Sequence, residues 1–252
     1  MIKFFRKIRR KLLAEGKTGK PASRTGRYLK YAIGEIILVV IGILIAVQIN
    51  NWNTNRNEIT RLNSILDIVR ADLIKDTLNI LKPIKFYEEK NNQILNLLEN
   101  KSLTSLDSIS EQNYKNHISI IRLATVYQFF QKQNKGINLL KNITNNVGYE
   151  KDSLITSLID YHSDYKLYFE DDNEIMAKLN FQNSTDYEKQ VWFTDWLLNK
   201  YNRDMFHYFY DDEFKRKAGK YRIYSNQFLQ DLKGYDKLAK AYITVIEKRL
   251  NK

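Results

Sequence analysis

Ala32 to Ile49 is an eighteen-residue stretch interrupted by only two polar side chains, Glu35 and Gln48. As a helix rising 1.5 Å per residue it spans about 27 Å, which matches the hydrocarbon core of a bilayer. Tyr31 and Trp52 stand at its two ends, where amphipathic rings favour the headgroup zone. A buried helix of a soluble protein has no need of the strongly basic flank that precedes this run. A cleaved signal peptide is opposed by the exit sequence Ile45-Ala46-Val47-Gln48-Ile49, which lacks the A-x-A pattern. Arg9-Arg10 is too far upstream of the apolar run to read as a twin-arginine signal. The expectation is a retained signal anchor over 31–52.

Charge sets the orientation. Residues 1–30 hold eleven basic residues against Glu15 alone, a net of +10 out of +12, so the other 222 residues are close to balanced. Basic flanks stay on the cytoplasmic side, which predicts a cytoplasmic tail (1–30) and an extracytoplasmic domain (53–252), periplasmic in a bacterium with its anchor in the inner membrane. It also removes the case for a nucleic-acid partner, because the excess sits in a tail. At the start, MIKFFRKIRRKLL spaces Met1, Ile2, Phe5, Ile8 and Leu12 as one face of a helix. Lys3, Arg6, Lys7, Arg9, Arg10 and Lys11 then become candidates for contact with anionic headgroups of the lipid bilayer, each worth about 1 kcal/mol near such a surface. A solvated tail is the alternative.

Glu35 falls in the first turn of the span, where the helix dipole favours negative charge and Arg27 or Lys30 can reach it from the interface. At 100° per residue, Gly42, Ala46 and Ile49 lie within about 40° of Glu35. Gly42 and Ala46 form a small-xxx-small pair that lets a second helix approach closely. Glu35, Gly42, Ala46 and Ile49 are therefore a candidate helix-packing face, for a second copy or for a protein partner.

The run GEIILVVIGILIAVQINNWN, preceded by FFRKIRRKLLAEGKTGK and RYLKYAIGE, resembles a family of uncharacterised single-pass membrane proteins of Bacteroidota with a GEIxLVVxGILIAxQINNWN-type anchor. The likeness is specific over about the first 55 residues. It implies topology and lineage, and no activity, cofactor or binding residue. KPASRTG departs from the pattern.

Beyond the span, Asn50, Asn51, Asn53 and Asn55 surround Trp52, where the helix either loosens or continues as a stalk. Ile59, Leu62, Leu66, Val69 and Leu73 then alternate spacings of three and four, a seam that Asp76 interrupts. Pro83 predicts a break or kink before a second helix, Ile84 to Leu98. KSLTSLDSISEQ reads as a polar connection with Ser108 or Ser110 placed to cap the next element. A helical tract over Tyr114 to Ile143 follows, interrupted near Thr125 and Gly136. After a turn at NNVGYEKD, Asp152 opens a long helix reaching the 170s or 180s. The last segment is the most regular: Phe214, Ala218, Tyr221, Ser225, Phe228, Leu232, Tyr235, Ala239, Tyr242 and Ile246, with Gly234 as its weakness. The fold class is all-α, one transmembrane helix followed by an antiparallel bundle of four to six helices whose first and last members are long.

Chemistry is sparse. Cysteine is absent, which excludes disulfides and thiol catalysis. Asp204 and His207 sit one turn apart, but a bundle metal site needs several such ligands to converge. Glu170-Asp171-Asp172-Asn173-Glu174 and Asp211-Asp212-Glu213 lack the glycine turn and spacing of an EF-hand. Without a catalytic, cofactor or metal signature, the expectation is a non-enzyme: a tethered binding or sensory module. A structural spacer or oligomeric scaffold is the alternative, and only a cleft gathering His207, Asp204 and an acidic cluster speaks for an enzyme. Seventeen tyrosines and twelve phenylalanines, many interleaved with lysine, read as core at helical spacing, with a ligand-stacking surface as the competing reading.

Overall fold

The computed structural model describes residues 6–7, 10, 24–99, 106–144 and 152–251, and among them the regular structure is helical, with no strand. From Arg24 onward, seven α-helices follow one another among the described residues: α1 (Arg24–Asn79), α2 (Leu81–Leu98), α3 (Lys135–Thr144), α4 (Ser153–Glu188), α5 (Phe193–Leu197), α6 (Arg203–Tyr210) and α7 (Asp212–Leu250). The chain divides into two compact units, Met1–Thr60 and Arg61–Lys252. Within α1 the helix continues through Asn50 to Asn55 and does not loosen there.

In the second unit α7 is the element on which the rest assembles. Its buried residues are the alternating series read from sequence, from Phe214 to Ile246, joined by Leu229 and with Tyr242 only partly covered. Acidic Asp212 and Glu213 open the helix and Lys248 and Arg249 close it, each sign matching the dipole end it occupies. Partners follow in opposite chain order. From Asp152 through Ser157 and Tyr161 to Asp186, α4 meets Arg249, Tyr242, Tyr235 and Lys217. Asp76, Tyr87 and Asn91, from α1 and α2, meet Tyr235, Phe228 and Ser225.

The division between α1 and α2 falls at Ile80, three residues before Pro83. Ile80 N–H still donates to Asp76 O and Ile84 N–H to Ile80 O, so little backbone bonding is lost. Pro83 lies in the first turn of α2, where a missing N–H is no defect. At the start of α4, Asp152 accepts from the N–H groups of Leu154 and Ile155, as its place before the apolar pattern predicts.

The tract expected to be helical from Tyr114 to Ile143 is mostly not. Short 3₁₀ turns occupy Leu106–Ser108, Tyr114–Asn116 and Ile118–Arg122, residues 126–134 are irregular, and only α3 is α-helical. The cap position of the 3₁₀ turn at Tyr114–Asn116 is held by Asn113 and not by Ser108 or Ser110; Asn113 accepts from Ser110 N–H and donates to Ser108 O. The reason the irregular strap holds is that side chains of the surrounding helices take up its backbone polar groups. Tyr187 donates to Ile121 O, Lys90 to Arg122 O, Asn183 to Ala124 O and Asn180 to Thr125 O. Tyr221 donates to Val126 O, Tyr87 both donates to Gln128 O and accepts from Gln128 N–H, and Asn173 does the same for Phe130. Three tyrosines and three asparagines of the surrounding helices are thus committed to holding this piece of backbone. The turn expected at NNVGYEKD lies, apart from Asp152, outside the described residues.

Candidate functional site

In the first unit the apolar run is exposed along its length, with only Gly34 and Leu38 partly covered between Ala32 and Ile49. Among the described residues it is the one helix long and apolar enough to cross a membrane. Glu35, Gly42, Ala46 and Ile49 all lie exposed on it, and a Cβ built on Gly34 or Gly42 meets no atom within 4 Å. Nothing within the described chain covers this face. Trp52 is exposed and the Arg56 guanidinium sits 5.8 Å from its ring centroid. Tyr31 is part of the same helix, its side chain outside the described residues. Of the basic tail, Arg6, Lys7 and Arg10 are exposed, whereas Lys3, Arg9 and Lys11 lie outside the described residues.

The second unit brings Asp204 and His207 to one cleft. Asn202 caps α6 by accepting from the N–H groups of Asp204 and Met205, and buried Met205, Phe206 and Phe209 fix the helix on the core. That leaves Asp204 and His207 exposed, one turn apart. Asp211, which ends α6 and caps α7 by accepting from Asp212 N–H, joins them. Leu106, Gln190, Val191, Trp192, Tyr208 and Tyr210 complete an open cleft of about 550 Å3. Trp192 is 2% exposed, and among the described residues its indole N–H has no acceptor. The cleft thus gathers Asp204, His207 and Asp211 of one acidic cluster, the arrangement that speaks for an enzyme in the sequence, although among the described residues no hydrogen bond or ion pair joins His207 to either carboxylate. No three His, Asp or Glu side chains among the described residues converge as a metal site would require.

A second polar assembly is buried between α1, the strap, α4 and α7. Asp76, the polar residue that interrupts the apolar α1 seam, is fully buried and accepts from Gln133 N–H at 2.9 and 3.1 Å and from the Tyr235 hydroxyl at 2.6 Å. One turn earlier, Asp72 accepts from Gly136 N–H at 2.6 Å, at the start of α3. Lys132 Nζ lies 2.9 Å from the ring nitrogens of His162 and donates to the His162 carbonyl at 2.6 Å. Burial raises the Asp76 carboxyl to about 6, against the opposing hydrogen bonds from Tyr235 and Gln133. Burial lowers Lys132 to about 7. His162 falls to about 4 through burial and the neighbouring Lys132 charge. Asp172 on α4, buried with one carboxylate oxygen unpartnered, is raised to about 7 by burial and then by the charge of Asp231. A signal for Asp76 and Asp172 did exist: both occupy core positions of an otherwise apolar 3,4 pattern. Lys132 carried none.

These features define a class: an all-helical chain with one apolar helix of membrane-crossing length. More particularly, residues 35–141 match the sequence pattern of DUF6090, a family of unknown function. That stretch runs from Glu35 through the α1 seam, α2 and the strap into α3. No curated protein and no solved structure matches.

Proposed function

We propose that this chain is a single-pass inner-membrane protein whose large domain, an antiparallel helical bundle in the periplasm, binds a protein, peptide or envelope component without catalysing a reaction. Residues 1–30 are the cytoplasmic tail, 31–52 the signal anchor and 53–252 the binding domain. The observation that carries this reading is that one helix, Arg24–Asn79, holds an apolar stretch with no buried residue and, further along, the buried seam Leu62, Leu66, Val69 and Leu73. The basic excess before the span supports the orientation, and the Bacteroidota-like anchor sequence supports a Gram-negative inner membrane. No cofactor, metal or nucleic acid enters the proposal.

The test is a pair of C-terminal fusions in cells, one reporter active only outside the cytoplasm and one only inside. Activity of the outside reporter alone is expected, and the reverse result overturns the orientation. A second reading, an oligomeric scaffold, is favoured by the uncovered face at Gly42 and Ala46. Crosslinking in intact cells separates the two, since discrete heterologous products support binding and self-products alone support the scaffold.

A further inference from the structure

We propose that the groove holding the strap is the ligand site of the domain, that it grips a non-helical peptide segment of a protein partner by the backbone, and that residues 123–134 are a resident stand-in which such a segment displaces. This assignment rests on the binding reading above and names where and what the domain binds. Three observations converge on it. The groove reads backbone: Asn183, Asn180, Tyr221, Tyr87 and Asn173 donate in turn to the carbonyls of Ala124, Thr125, Val126, Gln128 and Phe130. Every residue type carries that acceptor, so a foreign segment offers the same one. The grip is also two-sided. Asn173 donates to Phe130 O at 2.9 Å and accepts from Phe130 N–H at 3.2 Å, and Tyr87 treats Gln128 alike at 2.7 and 3.1 Å. Main-chain bonds of this kind supply the affinity when an extended peptide joins a sheet edge, and here side chains of three helices supply them. Finally, the strap is seated without being sealed. Residues 125–129 are half-buried or exposed, and Phe129 is 68% exposed, so a competitor reaches the donors from solvent.

The chemistry of the partner follows from the strap residues that are buried. Phe130 is 3% exposed, its ring centroid 5.1 Å from that of Phe169 and 5.8 Å from that of Tyr235. Gln131 is exposed, and Lys132, 6% exposed, donates to the His162 carbonyl at 2.6 Å. Ala124 is wholly buried. The segment that fits has an aromatic residue, a free position and a lysine in succession, with a small residue six places before the aromatic. Proline is barred at the places of Gln128 and Phe130, whose N–H groups are used. A strap tethered at both ends competes at an effective concentration of about millimolar, so a free peptide with the same contacts binds the parent weakly until the strap is loosened.

The experiment uses the full chain in an uncharged detergent and a fluorescein-labelled peptide, LATVYQFFQKQN, which repeats residues 123–134. A scrambled isomer is the control for micelle binding. Phe130→Ala loosens the strap while leaving the donors of the helices in place. By anisotropy the peptide should bind this variant about tenfold or more tighter than the parent. The scrambled isomer, and a peptide with alanine in place of the phenylalanine that matches Phe130, should not. Should Phe130→Ala lose the helical circular dichroism of the parent, hydrogen exchange on the parent decides. The amides of Gln128 and Phe130 should exchange while those of α4 and α7 stay protected, and faster with millimolar peptide. Equal binding by the scrambled isomer, no gain in a folded Phe130→Ala chain, or strap amides that exchange only together with α4 and α7 overturns the assignment. Dimers that form without peptide and dissociate on its addition give the groove to a second copy and overturn the partner. If a discrete heterologous crosslink persists in cells after such a failure, the groove assignment alone falls and the tethered binding module stands.

Discussion

Gly136 looks in the sequence like an interruption of a helix, and its true constraint is a neighbour 67 residues earlier. A Cβ there would lie 2.6 Å from Val69 N and 2.7 Å from Val69 Cα, backbone atoms of α1 that cannot step aside. Gly136→Ala should therefore destabilise the second unit by about 3 kcal/mol, measured by urea unfolding of the detergent-solubilised chain. Gly234→Ala is the contrast: its Cβ would meet only the Tyr165 hydroxyl, the far end of a ring that can shift, and it gains about 1 kcal/mol of helix propensity. It should stay within about 1 kcal/mol of the parent. Asp172 gives a pH test. Its carboxyl is raised in the folded state to about 7 from an ordinary 3.8, so the folded chain holds a proton that the unfolded chain has already released. Stability therefore falls as pH rises through that window. Asp172→Asn should remove this slope, matching the parent near pH 4 and exceeding it by roughly 2 kcal/mol near pH 8. Unfolding midpoints across pH decide it.

Helices could be read in advance where one face is wet and the other dry. The α7 series, the Asp152 start of α4 and the α1 seam were all legible because half-buried helices write a 3.6 period into the chain. The strap was not, since its apolar residues face packing from several sides, and its hydrogen-bond partners, such as Asn173, Asn183 and Tyr221, stand dozens of residues away. The cleft was half legible. Asp204 and His207 share a helix face by spacing, whereas Trp192 and Gln190 join them from a different turn that no local pattern announces. At this scale the α4 cap is the sharpest prediction. Asp152→Ala removes the acceptor of two N–H groups and the 2.6 Å contact with Arg249, and should lower stability by roughly 1–2 kcal/mol. Asp152→Asn keeps the cap and should cost less than about 1 kcal/mol, because the pair with Arg249 is only partly buried. Thermal melts of the two variants should rank in that order.

At the scale of the whole molecule, the tether and the bundle are separable proposals. If the uncovered face of the span pairs with a second copy, Gly42→Leu should reduce the signal of a membrane-dimer reporter to that of a non-associating control, because close approach at small residues is lost. An unchanged signal would leave Glu35 as an interfacial acid and nothing more. The strap has a consequence of another kind. Connections outside helices ordinarily tolerate added or missing residues. Here Tyr87, Lys90, Asn173, Asn180, Asn183, Tyr187 and Tyr221 measure out successive carbonyls from Ile121 to Phe130, much as a ruler measures a tape. Removing one residue would displace every later carbonyl from its donor at once, so this stretch should accept changes of letter far more readily than changes of length.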